Sequence, residues 1–382
     1  TVTTAAARNY DFGALFLAGN LVLFSNGGTI DLASVTGGTN DLSLESRGGA
    51  TTVSGNATGI GTLTLHDNNA GSTGTMRFEG DLVANTLTTQ GQGYAVELLA
   101  GNGAAGTVTV TTDTNFANTG AITLGDDGVD VLTFTGGLST TNGSGTTTGG
   151  AIRTGGNQID LGVVTLGANT VVDSSNNGVA AAGAVVNIAG VTGGTNNLEL
   201  RSRNNQTTLG GDATGIGTLT LHDNDADATG TMRFEGNLGA GAMTVQPQAY
   251  DVALLATTGG AGTVTVGGLT EFLNTGTVTL GDDPGDVIEF SAGVETAGNG
   301  TNPGGTNLAG VGRTTGGTAL TLGALTLTGD SSIESNGGNL TLDGDVSGNF
   351  VLSLDADTAT IFFEGTVGSP TALDHVRVLG AD

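Results

Sequence analysis

The side chains in this chain with the most chemical potential are carboxylates gathered at turns. Gly125–Asp130 reads GDDGVD, Gly281–Asp286 reads GDDPGD, and His222–Asp227 reads HDNDAD. Asp126, Asp127 and Asp130, their counterparts Asp282, Asp283 and Asp286, and the alternating Asp223, Asp225 and Asp227 are candidate calcium ligands, because a hard cation gathers oxygen donors and acidic turns supply them at short spacing. The first stretch departs from the calcium nonapeptide GGxGxDxUx at Asp126, and that motif works through tandem copies that are missing here. The earlier copy of HDNDAD reads HDNNAG and keeps only Asp67. Diffuse counterion binding is the competing account. No cofactor is required on this reading, and calcium is the one candidate.

Three further groupings could carry chemistry. TMRFEG at Thr75–Gly80, with its copy at Thr231–Gly236, sets Arg77 and Glu79 on one face of a strand and Met76 and Phe78 on the other. That is an acid beside an electrophile, or a surface ion pair contributing about 0–1 kcal/mol, and the second reading is the stronger. His66-Asp67 and His222-Asp223 follow Leu65 and Leu221, so alternation turns each His to solvent; no GxSxG elbow accompanies them. GNGAAG at Gly101–Gly106 fits the dinucleotide fingerprint, yet a strand-like TVTV follows it where a helix N-terminus is required.

The elements that position these groups are set by repetition. ATGIGTLTLHDN at Ala57–Asn68 returns unchanged at Ala213–Asn224, and His66 to His222, Met76 to Met232 and Phe134 to Phe290 share one offset, 222 − 66 = 156. Inside this unit run short segments such as TLTL, TMRF and TVTV, apolar at every second position and separated by Gly, Asn, Asp and Thr. That is the pattern of strands with one buried face, and steady spacing with a long nested repeat points to a solenoid. The expected fold is all-β, a single elongated right-handed parallel β-helix built from a duplicated 156-residue unit, with handedness taken from the preference of parallel crossovers. Residues 1–34 form a partial repeat, 35–190 the first unit, 191–345 the second, and 346–382 a further partial repeat, all in one continuous solenoid. Leu322 answers Leu161 at 322 − 161 = 161, which places a five-residue insertion within 297–317. The tyrosines Tyr10, Tyr94 and Tyr250 are expected to mark one repeat position, and glycine to be abundant because corners need positive φ.

Composition narrows the partners. With 36 acidic against 9 basic residues the net charge is −27, and all nine cations are arginine, so nucleic acid is a poor partner and lysine chemistry is excluded. Cysteine is absent, which removes disulfides and thiolate sites. No apolar run is long enough for a spanning helix. The opening TVTTAAARNY has neither Met nor the regions of a signal peptide, and the expectation is a processed product or an excised fragment.

GTLTL, GDD…LTF, FEG(D/N)L and TTQGQGYAVELLA together resemble long bacterial surface proteins of the filamentous-haemagglutinin and β-strand-repeat type. The resemblance implies an extracellular or cell-surface repeat protein, adhesive or structural, at home in a fibre or biofilm matrix and without catalytic residues in its repeats. A non-enzymatic, rod-like fibre segment is therefore the expected function. Its expected partners are further copies, end to end or laterally, the continuation of a longer chain, or a host-surface or matrix glycan. A glycan-acting lyase or depolymerase on the same scaffold is the alternative.

Overall fold

Alternation along the chain becomes strands whose inward side chains are shut away from water. In Ala57–His66, Leu63 and Leu65 are buried while Thr62 and Thr64 are half-buried, and the copy Ala213–His222 repeats the pattern. The computed structural model describes residues 1–3, 7–67, 71, 73–201, 203–223, 229–297 and 303–380, and among these it is all-β with no helix. Parallel strands stack as a β-solenoid of about 15 turns. The chain packs as two compact units, Thr1–Ile188 and Ala189–Asp382.

The coils present up to three strand faces, and along each face inward positions sit over their equivalents one coil earlier, with local register shifts. In the first unit one face carries the register Ile30, Thr51, Met76, Val96 and Ile122; a second carries Val35, Ala57, Leu82 and Val108; a third carries Leu21, Leu42, Leu63 and Leu87. In the second unit the matching faces carry Thr207, Met232, Val252 and Val278; Ala213, Leu238, Val264 and Ile288; and Leu198, Leu219 and Met243. Coils differ in length, 30 − 10 = 20 residues from Tyr10 to Ile30 and 108 − 82 = 26 from Leu82 to Val108, and the difference is absorbed in the corners. Met76, Phe78, Phe134 and their copies Met232, Phe234 and Phe290 are all buried. Burying such side chains stabilises by about 1.5–3 kcal/mol each, so this stacked column is the main driving force for folding.

Glycine serves a second purpose besides the expected one. Among the described residues 22 glycines have positive φ, out of 71 in the chain, so conformational freedom explains a minority. At Gly80 an added Cβ would lie 2.5 Å from the carbonyl carbon of Gly55, and at Gly236 it would lie 2.3 Å from that of Gly211. These corners are glycine because the backbone of the preceding coil occupies the space a side chain would fill.

The tyrosine expectation fails at Tyr10. Tyr94 and Tyr250 are fully buried and donate back to the carbonyls of Leu65 and Leu221, at 2.7 and 2.9 Å. Tyr10 is only half-buried, donates forward to the carbonyl of Phe24, and belongs to the register that passes through Ile30, Thr51 and Met76 to Val96. Val2 stands in the register that runs through Leu23, Leu44 and Leu65 to Thr89, so the likeness of Thr3 and Tyr10 to Thr88 and Tyr94 is out of step with the coils by two residues. The insertion is split: Thr146 and Thr306 share a register role at 306 − 146 = 160, and the last residue of the five enters before Leu320.

Candidate functional site

Corners are where the backbone ladder between coils is interrupted, and side-chain oxygens fill the gap. Asp41 Oδ1 accepts from the Thr62 N–H at 2.8 Å, Asn56 Oδ1 from Asp81 N–H at 3.1 Å, and Asp81 Oδ1 from Thr107 N–H at 2.7 Å. In the second unit Asn197, Asp212 and Asn237 accept from Thr218, Asn237 and Thr263 at 2.8, 2.9 and 2.8 Å. The three positions correspond at 197 − 41 = 156, and at every one Asp and Asn have changed places between the copies. The bond survives the exchange. What the corner needs is a carbonyl-type oxygen for an N–H that has no ladder partner, and charge is incidental.

The acidic turns are a stronger form of the same device. Asp130 is fully buried; its Oδ2 accepts from the N–H groups of Asp126 and Asp127, both at 3.0 Å, and its Oδ1 from Gly106 one coil back at 3.1 Å. Asp286 repeats this with Asp282, Asp283 and Gly262 at 2.9, 3.0 and 3.0 Å. Burial pushes both carboxyls above the usual aspartate range and outweighs the N–H groups, which act in the opposite direction. Asp126 and Asp282 reach across to the N–H of Gly103 and Gly259, while Asp127 and Asp283 accept from Val129 and Gly285 within their own turns. Asp223 is buried and accepts from Asn204 N–H at 3.2 Å, as Asp67 does from Gly48 at 2.7 Å.

The sequence-derived calcium candidates Asp126, Asp127 and Asp130, and likewise Asp282, Asp283 and Asp286, are therefore brought together, with oxygens turned toward backbone donors. A cation at either turn would compete with those N–H groups. Among the described residues no group of three or more His, Asp or Glu side chains is arranged to hold a metal ion. Asp225 and Asp227 lie outside the described residues.

Outward charges form ladders across coils. Arg77 bonds Glu79 at 2.7 Å and Glu97 at 2.8 Å, Arg233 bonds Glu235, and Arg313 bonds Glu289 at 2.7 Å. His66 stands 3.8 Å from Glu45, whereas Glu199 lies between Arg201 and His222, with His222 Nδ1 at 3.3 Å. The hydrogen bond from His222, assisted by Arg201, holds the Glu199 carboxyl down at about 2.

Open grooves run along the coils. One of about 370 Å³ is lined by Asp11, Phe12, Asp31, Leu32 and Ser54, with Asp11 and Asp31 in register on adjacent strands. Another of about 320 Å³ is lined by Asp330, Ser332, Ser353 and Arg377, and Asp330 there accepts from Val351 N–H. Sequence reasoning missed the corner acceptors, although their signal was present: the repeats could be aligned, and the Asp/Asn exchanges at 41, 56 and 81 were visible in that alignment. Compared with protein-family models, with curated proteins and with solved structures, the chain matches none.

Proposed function

We propose that this chain is a structural or adhesive repeat segment of an extracellular protein, carried on a bacterial surface or in its matrix, and that it is not an enzyme. The observation that supports this most is the exchange of Asp for Asn at three corner positions with every accepted bond retained, since polar groups serving chemistry would not tolerate loss of charge. Antibody against the chain should label unpermeabilised cells of the source organism. Labelling only after permeabilisation would sink the extracellular assignment.

Self-association by stacking of coils belongs to the same reading. Val376 and Val378 stand in register with buried Leu352 and Leu354 and are 42% and 56% exposed, an apolar strand face that suits a further coil, of a continuing chain or of a second copy. Sedimentation across a concentration series should reveal species larger than one chain, and charged substitutions at both valines should remove them. Calcium, if it binds, does so as a counterion: titrating it against the apo chain should leave the melting temperature unchanged, and a saturable rise would reinstate a specific site.

A glycan-acting function draws its support from the groove beside Phe12, where Asp11 and Asp31 stand on neighbouring strands. Incubation with a panel of neutral and acidic polysaccharides tests it. Release of new reducing ends, abolished in Asp11→Asn with Asp31→Asn, would replace the structural reading.

A further inference from the structure

A buried acceptor without a donor recurs at the same corner of both units. Phe116–Gly120 reads FANTG and Phe272–Gly276 reads FLNTG. The central asparagines, Asn118 and Asn274, are fully buried. Each amide is oriented by its Nδ2, which donates to the carbonyl of the buried tyrosine one coil back: Asn118 to Tyr94 at 3.2 Å, and Asn274 to Tyr250 at 2.9 Å. The corner packs tightly on the preceding coil: Gly120 and Gly276 lie so close to those same tyrosine carbonyls that a Cβ would fall 2.2 and 2.3 Å away. With the amide fixed in this sense, Oδ1 faces the interior, and no protein donor reaches it in either unit.

In the first unit a second oxygen shares the condition. Gln92 Oε1 is buried without a donor, and its coil is held to that of Asn118 by the bond from Thr119 N–H to the Gln92 carbonyl at 2.8 Å. In the second unit the corresponding Gln248 Oε1 receives a long bond, 3.4 Å, from Asp223 N–H. A buried amide oxygen left without a hydrogen bond is costly, and its recurrence at Asn118 and Asn274 calls for a small donor at each.

We propose that each unit holds a structural water at its Asn-Thr-Gly corner, donating to Asn118 Oδ1 in the first unit and to Asn274 Oδ1 in the second. Water is the ligand because each corner offers a neutral acceptor and no counter-charge, and buried water that meets otherwise unsatisfied polar groups is an ordinary component of a protein interior. It completes a corner that the protein alone leaves unsatisfied. The crystal structure of the intact chain, at a resolution that shows ordered solvent, should contain a density peak within hydrogen-bonding reach of each Oδ1. Water relaxation dispersion on the same chain should register long-lived internal water, and its amplitude should fall in Asn118→Leu or Asn274→Leu. Empty density at both oxygens, an amide turned so that Oδ1 faces the tyrosine carbonyl, or an amplitude that neither substitution alters would overturn the proposal.

Discussion

Two kinds of corner oxygen behave differently across the duplication. At 41, 56 and 81 against 197, 212 and 237, Asp and Asn interchange; at 130 against 286, and again at 67 against 223, Asp stands in both copies. For Asp130 and Asp286 the constancy has a reason in the number of backbone donors. Asp41, Asn56 and Asp81 each meet a single backbone N–H of the next coil, which a carboxylate and an amide serve equally, and the other donors to Asp41 and Asp81 are side chains, Asn20 Nδ2, and Asn56 Nδ2 with the Thr107 hydroxyl. Asp130 and Asp286 each meet three N–H groups with both oxygens, and an amide would present an NH₂ to a donor. Outward charges are looser again: Glu97 beside Arg77 has become Ala253 beside Arg233, and Glu45 opposite His66 has become Arg201 opposite His222. Constraint thus falls from the buried turn to the single-acceptor corner to the outer ladder.

The sharpest way to break this ordering is Asp130→Asn or Asp286→Asn. Each should destabilise its unit by about 3 kcal/mol, the upper range for leaving buried donors unmet. Amide hydrogen exchange should accelerate first at Asp126 and Asp127, or at Asp282 and Asp283. Equal stability in these variants would remove the distinction between the two kinds of corner.

Next in size is Glu199→Gln, which should cost about 1–2 kcal/mol near neutral pH through loss of its bonds to His222 and Arg201. The sign follows from the depressed carboxyl. Stability from the ionised form is complete above the usual value of 4.5 and is lost as pH falls toward about 2, so the gap between parent and variant should close over that interval in denaturation series. A gap that stays constant would mean that packing, and not charge, accounts for the loss.

Restoring a missing outer partner should do less. Ala253→Glu puts a carboxylate opposite Arg233, as Glu97 stands opposite Arg77, and should raise stability by under about 1 kcal/mol, an effect that salt diminishes in thermal melts. Smallest of all is the paired exchange Asn56→Asp with Asp81→Asn, which gives the first unit the corner chemistry of the second. Its melting curve should shift by less than the equivalent of about 0.5 kcal/mol. A larger loss would show that the two corners are not interchangeable.

Alternation in TLTL and TMRF was enough to assign Leu63, Leu65, Met76 and Phe78 to the interior, because a strand side chain has only two directions to point. The offset of 156 aligned the copies. The acidic turns were equally visible as clusters, but a cluster written in sequence does not say what faces it. Asp130 meets Gly106, and Asp286 meets Gly262, only because one coil settles on another. Tyr10 was misplaced for a related reason, since a short motif can recur out of step with the register of the coils.

By itself the sequence determined the all-β character, the repeat and the inward residues, since these depend on period and composition within a few neighbouring positions. Only the tertiary structure decided what the polar residues do. Many of their partners lie some 19 to 26 residues away, on the coil before or after, and a carboxylate that reads as a ligand in one dimension becomes an acceptor for backbone N–H groups once the coils are stacked.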